Sequence, residues 1–433
     1  MQAVEIKEAV AGGKLHSFHC RTMIETIGAC EPADNTGEKT KVLRPWSCWF
    51  VVGARKNITA ERRNVGTRMA FLEGGPLGYE LHDWFCHNGI KNTQKTTDQD
   101  YFITIQYYFY TKYNQTDMIF GIYPGGMTGT PEGLTNGPAN NPQKISAALD
   151  RLQGNAPSFI IRAYVGYKGR GQTSTHVPDN PGQYVTGNRQ LDLVLCFQTE
   201  ESDLDGWKEF IGQQVKKYHK DLRYLQVTEE ANVNLPVLDG YYEHSRRALV
   251  EGVVFAKREI RSAGLPIEVG FNATPDFNPN RQFWKEIRSL ATPEFYESLD
   301  YVGLDCFPDV FRALPRDNGK IVAYEPLRQV ISHFKSDIRD AGIGADIPLH
   351  ITENGWPTNS LRSEHDQAVA LEAIIRAIHS MRGEFGIKTY EMFDLRDADS
   401  KSDDIFYRFG IMNDDYTEKL AFETYCSLVS DLS

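Results

Sequence analysis

The chain has 433 residues, 41% apolar and 24% charged, with 47 Lys and Arg against 58 Asp and Glu for a formal net charge of −11. At roughly 150 residues per domain this length suits one large barrel plus an appendage, and the composition excludes wholesale disorder and collagen-like repeats. The acidic balance argues against nucleic acid or an anionic membrane surface as partner and suits a neutral or cationic ligand.

No apolar run approaches the roughly 18 residues of a membrane helix, and the start, MQAVEIKEAVAGGKLHSF, lacks the basic and apolar regions of a signal peptide. A cytoplasmic protein is therefore expected, with a secreted mature form as the alternative. Seven cysteines leave at least one unpaired, and none has zinc-ligand spacing, so a reduced compartment is the simpler reading. Cys20, Cys30, Cys48 and Cys86 cluster early and leave a disulfide or metal there open, whereas Cys196 and Cys306 sit in apolar runs and read as core.

Residues 1–115 have no regular rhythm. Ser47–Val52 and Tyr101–Tyr110 are rich in aromatic and β-branched residues and predict strands; the rest is Gly-containing and polar. This segment is read as an irregular, partly β extension packed on the barrel, and its sequence assigns it no function.

Over 116–433 the pattern changes to short apolar runs alternating with helical periods. Eight runs occur: MIFGIY at Met118, SFIIRAYV at Ser158, LDLVLCFQ at Leu191, LRYLQVT at Leu222, IEVGFN at Ile267, LDYVGLDCF at Leu299, IPLHIT at Ile347 and IKTYEMF at Ile387. Several are almost continuously apolar, as strands buried on both faces are. Between them, stripes such as Trp207, Phe210, Ile211, Val215, Tyr218 and Leu327, Val330, Ile331, Phe334, Ile338 recur at steps of three and four and predict amphipathic helices. Eight βα units point to an α/β fold of the (β/α)8 barrel class. The Pro, Gly and Asn-rich run from Pro124 to Pro142 follows the first strand and is read as the first βα loop, over the active face.

In such a barrel, chemistry sits where strands end at their C-termini. The fourth run ends Thr228-Glu229-Glu230-Ala231-Asn232, and the seventh ends Thr352-Glu353-Asn354-Gly355-Trp356-Pro357. A lone Glu after a strand is commonly a partner of the next helix's N-terminal dipole. Two carboxylates at one height on well-separated strands instead meet the requirement of glycoside hydrolysis for an acid and a nucleophile, and Trp356 is an aromatic suited to stacking on a sugar.

The segments ITENGWP (351–357) and TEEAN (228–232) resemble the strand 7 and strand 4 motifs of clan A of the glycoside hydrolases, retaining enzymes built on (β/α)8 barrels. The resemblance implies Glu353 as nucleophile and Glu230 as acid/base. Glu229 then stands where the clan has an asparagine holding the sugar 2-hydroxyl. Arg162, in Ile-Ile-Arg-Ala-Tyr, resembles the clan arginine that keeps the nucleophile ionised; its plainer reading is a salt bridge inside the barrel. Asn232, Asn272, Phe307 and Phe393 complete the implied carbohydrate-binding set. Phe307 lies near the place of a clan tyrosine and cannot donate a hydrogen bond, so that role is missing or falls to Tyr164 or Tyr167. Arg396 and Asp397 would favour a charged or heavily hydroxylated sugar, and their plainer and preferred reading is a surface ion pair; His350 reads as a core histidine.

No phosphate loop, nucleophile elbow or HExxH occurs, so no cofactor and no metal are implied. The expected partner is a carbohydrate substrate, with neither nucleic acid nor membrane. The alternative reading is a catalytically weak barrel used for carbohydrate recognition or phage-defence signalling, since the strand 4 phrase also resembles abortive-infection proteins.

Overall fold

A computed structural model describes residues 117–433 apart from Thr173 and Pro279, together with the backbone of five short strands in the first 116 residues. The chain divides into two units, 1–112 and 113–433. In the first, Tyr101–Tyr107 pairs antiparallel with Gln2–Lys7 on one side and Thr93–Lys95 on the other, and Phe18–Cys20 pairs with Cys30–Pro32 so that Cys20 faces Cys30 in register. The strand predicted from Tyr101 is therefore present and central in its sheet. The expected strand at Ser47–Val52, with Cys48, and Cys86 fall outside the described residues.

The second unit is a closed barrel of eight parallel strands: β1 (Ile119–Ile122), β2 (Phe159–Tyr167), β3 (Arg189–Phe197), β4 (Leu222–Val227), β5 (Glu268–Ala273), β6 (Tyr301–Asp305), β7 (Leu349–Asn354) and β8 (Ile387–Met392). Each pairs with the next, and β1 closes the ring by pairing with both β8 and β2. All eight lie on the eight apolar runs. The helices are α1 (Pro142–Gln153), α2 (Leu204–Tyr218), α3 (Ser245–Ser262), α4 (Gln282–Leu290), α5 (Pro293–Ser298), α6 (Tyr324–Asp340), α7 (Glu364–Phe385) and α8 (Leu420–Leu432). None of them is long and apolar enough to cross a membrane.

Seven of the βα units carry an α-helix and one does not. Between β2 and β3 the chain makes a short strand, Thr175–Val177, that pairs back on β2, and a single 3-10 turn, Pro181–Tyr184. The Gly, Pro and Asn content of residues 169–188 explains this, because such residues break a helix before it can nucleate.

The main core lies between the strands and the helix layer, as the sequence stripes require. Inside the barrel, side chains project at every second strand position. Ile160, Tyr224 and Tyr301 form a separate apolar layer, and His350 stacks on Tyr301 with ring centroids 4.0 Å apart and planes within 9°. His350 is thus an interior residue, held neutral by burial, which lowers its pKa to about 3. One step toward the strand ends come Arg162, Gln226 and Thr352. Gly303 belongs to that step because a Cβ there would stand 2.6 Å from Thr352 Oγ1 and 2.9 Å from Asn272 Cβ. The barrel therefore passes from aromatic to ionic as it rises to its mouth.

Candidate active site

Where β4 ends, the backbone leaves the extended region abruptly. Thr228 has φ 70° and Glu230 φ 42°, left-handed conformations that cost a β-branched or long side chain on the order of 1–3 kcal/mol each. The turn is held by Asp239, whose Oδ2 accepts from the backbone N–H of Glu229 at 2.9 Å and of Phe197 at 2.7 Å. The N–H of Asp239 in turn donates to the Glu229 carbonyl at 3.1 Å. Asn272, at the end of β5, accepts from the N–H of Glu230 at 2.8 Å. Consecutive glutamates are thereby aimed apart. Glu229 turns into the barrel, while Glu230 faces the cavity above it and has no side-chain hydrogen bond among the described residues.

Glu353 ends β7, where Asn354 fixes the strand by donating to the Cys306 carbonyl at 2.7 Å and accepting from Tyr390 at 2.6 Å. The phenol of Tyr164 donates to Glu353 Oε1. Arg162 donates through Nε to Tyr164 at 2.8 Å, through Nη1 to Asp192 at 2.9 Å, and through Nη2 to Gln226 at 3.0 Å and Glu229 at 3.2 Å. Its Nε lies 3.7 Å from Glu353. Glu229 Oε2 also accepts from Gln226 at 2.7 Å and Asn272 at 3.1 Å. Asp305, at the end of β6, accepts from Thr352 at 2.5 Å and from Asn272.

One oxygen from each of Glu229, Glu230, Asp305 and Glu353 lies within 4.8 Å of the others, and all four residues are buried. Burial and mutual repulsion push these groups toward their protonated forms. Glu353 is raised to about 8 by burial and by Glu229, against the pull of Arg162 and Tyr164. Glu230 is raised well above the ordinary carboxylate range by burial, Glu229 and Glu353. Glu229 is raised by burial although Arg162 opposes it, and one of its oxygens lies within 4.8 Å of one of Glu353. Asp239 is raised to about 8 by burial despite its two backbone donors. Four clustered carboxyl groups could also hold a hard cation. Here Arg162 already supplies compensating charge to Glu229 and Glu353, and Asn272 and Thr352 occupy oxygens of Asp305.

A cavity of about 1010 Å³ opens on this cluster. Of the residues singled out in the sequence, Glu229, Glu230, Glu353, Phe307 and Phe393 line it. Met127, Thr128, Gly129 and Leu134 line it too, so the run after β1 is a βα loop over the site, as expected. Arg162, Asn232, Asn272 and Trp356 do not line it. Arg162 and Asn272 stand behind the carboxylates and hold them. Asn232 is occupied by Thr274, donating to its carbonyl at 3.0 Å and hydroxyl at 2.9 Å. Trp356 is buried beneath the surface because its indole N–H donates to Asp309 at 3.2 Å and Arg362 covers its ring at 5.1 Å. It offers no face for stacking, which corrects the sequence expectation.

The pairing of Arg396 with Asp397 is also corrected. Both are buried: Arg396 donates to Asn140 at 3.0 Å and the Pro138 carbonyl at 2.5 Å, and Asp397 pairs with Lys419 at 2.7 Å. They anchor the first βα loop and the start of α8.

Three contributors escaped the sequence reading. Tyr123 lines the cavity, stacking on Phe393 with centroids 5.4 Å apart and meeting Tyr164 edge-on at 5.1 Å. Asp305 joins the carboxylate cluster, and Asp239 clamps its turn. An aromatic and an acid at strand ends were visible signals for the first two; Asp239 lies ten residues from its target with no periodic marker.

No family model and no curated protein sequence matches the chain. Among solved structures, a β-glucosidase from Thermotoga maritima in complex with castanospermine is similar with a TM-score of 0.50 and 12% identity, over 74% of this chain and 98% of that one. A second structure of β-glucosidase from Thermotoga maritima, in complex with deoxynojirimycin, gives a TM-score of 0.50 and 12% identity over 73% and 98%. A GH39 enzyme from Xanthomonas axonopodis pv. citri gives 0.47 and 14% identity over 73% of this chain. The chain spans 66% of that enzyme and 63% of a family 39 glycoside hydrolase from Bacteroides cellulosilyticus. The likeness at these identities is one of fold, the (β/α)8 barrel.

Proposed function

We propose that this protein is a glycosidase acting by double displacement, with Glu353 as nucleophile and Glu230 as acid/base. The observation that carries the reading is the approach of their carboxyl oxygens, within 4.8 Å, on β7 and β4 beside one cavity. Retaining enzymes hold the two carboxyl groups roughly 5–5.5 Å apart and inverting ones roughly 6.5–9.5 Å; oxygens this near support the retaining class without measuring the separation of the carboxyl groups. That the similar barrels include β-glucosidases supports a carbohydrate substrate.

In the first step ionised Glu353 attacks the anomeric carbon while Glu230 gives its proton to the departing oxygen. In the second, Glu230 takes a proton from water, the hydroxide oxygen bonds to the anomeric carbon, and Glu353 leaves as carboxylate. Arg162 and Tyr164 favour the ionised nucleophile, and the burial that lifts Glu230 keeps it loaded as an acid. Tyr164 fills the hydrogen-bonding role that Phe307 cannot. Arg162, Asn232, Asn272 and Trp356 act by positioning, and Phe307 and Phe393 by contact with the ligand.

Glu229 favours a second reading, a carbohydrate-binding barrel with little turnover, because burial and Glu229 raise Glu353 to about 8 and leave the nucleophile largely protonated near neutral pH. A 2-deoxy-2-fluoro glycoside with an activated leaving group separates the two. Peptide mapping after inactivation is expected to find the label on Glu353. Label on Glu229, or turnover of aryl glycosides absent up to pH 9, would overturn the assignment.

A further inference from the structure

Building on the glycosidase reading, we infer that the cavity accepts glycosides whose leaving group is an apolar aglycone instead of another sugar. The argument starts at Glu230. If it protonates the leaving oxygen, the group attached to that oxygen must lie along the walls nearest to it. Those walls come from the loop that follows it, where Val233, Leu235 and Val237 line the cavity. The next loop, fastened to the first by the Asn232 to Thr274 hydrogen bonds, adds Phe277, and the loop after β6 adds Phe311 and Leu314.

Two of these rings are costly to leave in water. Phe277 is 60% exposed and Phe311 66% exposed, yet both are held in place. Phe277 stacks on His333 with centroids 5.7 Å apart and planes within 8°, and Phe311 packs against Phe307 at 6.3 Å and Phe406 at 6.2 Å. Exposed aromatic surface of this kind at a cavity marks a binding site. Beside Val237 the polar Lys168 and Gln198 engage each other at 2.5 Å, and Gln198 also donates to the Val237 carbonyl at 2.8 Å. A second sugar needs hydrogen-bonding partners for each hydroxyl it brings out of water, and an apolar group needs none. The volume, about 1010 Å³, is at the upper end of sites that enclose drug-sized ligands, with room beyond one sugar ring.

The test uses the full chain and two readouts. The first is kcat/KM for methyl, butyl and octyl glycosides of the preferred sugar, beside a disaccharide of that sugar. Each methylene buried on apolar walls is worth up to about fourfold, so octyl is expected to exceed butyl by about tenfold or more and to exceed the disaccharide. Phe277→Ser and Phe311→Ser, at positions exposed enough to leave folding unaffected, are each expected to cut the octyl-to-butyl ratio about threefold. The second readout is calorimetric binding of octyl and butyl β-glucoside, below micelle formation, to Glu353→Gln. Tighter octyl binding there, with no turnover by the parent protein, would sustain the apolar subsite and discard the hydrolase. Turnover with a flat alkyl series, a preferred disaccharide, or equal binding of the two alkyl glucosides would overturn the inference and leave the hydrolase standing.

Discussion

Tyr164 on β2 donates its phenolic hydrogen bond to Glu353 on β7, and the same phenol oxygen accepts from Arg162 Nε at 2.8 Å. The tyrosine thus relays the charge of an interior arginine to a carboxylate that the arginine itself approaches only to 3.7 Å. Replacing it by Phe removes a hydrogen bond that lowers the pKa of Glu353. Tyr164→Phe should reduce kcat about 10- to 100-fold, the span of a hydrogen bond to a charged group, and move the acidic limb of the pH profile upward. Steady-state kinetics across pH checks this; an unmoved limb would show that the contact is only structural.

Glu353→Gln should lower turnover by at least about a thousandfold, because an amide cannot form the glycosyl ester. The melting temperature should stay near that of the parent, since removing one member of a repelling carboxylate cluster relieves charge. Turnover within tenfold of the parent in a folded variant would discard the assignment.

Glu230→Ala should hit poor leaving groups hardest, as protonation matters for an alkoxide and hardly for an activated phenolate. Azide should then rescue the second step and yield a glycosyl azide. If Glu229→Ala gives that pattern instead, the acid has been placed one residue too late.

Glu229→Asn removes the neighbour that raises both Glu353 and Glu230. A group whose pKa falls loses its proton at lower pH, so both limbs of the activity profile should move to more acidic values. The parent should be most active on the alkaline side of neutrality, since Glu353 ionises at about 8. Profiles of kcat/KM for the two proteins test this; superimposable limbs would show that Glu229 does not couple to the pair.

Asp239 makes a prediction about stability. Its carboxyl ionises at about 8 in the folded chain against roughly 3.9 when unfolded, so the native state retains a proton that the unfolded state releases. The stability this contributes is full below about pH 4 and is lost as pH rises through about 8. Thermal melts at pH 5, 6.5 and 8 should show a shallower decline for Asp239→Asn than for the parent. Parallel declines would contradict the assignment.

The barrel was legible because each strand is a short apolar run set off from a helical stripe, and two of its endings carry carboxylates in phrases that stand out locally. What stayed hidden depends on distance in the chain. Nothing near Trp356 announces that Asp309 will draw its indole inward, and nothing near Arg396 and Asp397 announces Asn140 or Lys419. The second βα unit could have been read correctly, since its Gly and Pro content argues against the helix that the repeat suggests.

The clamp at the end of β4 joins Glu229 to Asp239 twice, once through backbone and once through side chain. It closes a ring of chain whose interior, Val233 to Leu238, forms part of the cavity wall. The cavity wall and the turn that carries Glu229 and Glu230 are therefore parts of one loop, tied where the Val233 N–H donates to the Glu230 carbonyl at 2.9 Å. That tie runs through backbone, so side chains exchanged at Val233, Leu235, Val237 and Leu238 change the cavity wall and leave in place the hydrogen bonds that clamp Glu229 to Asp239.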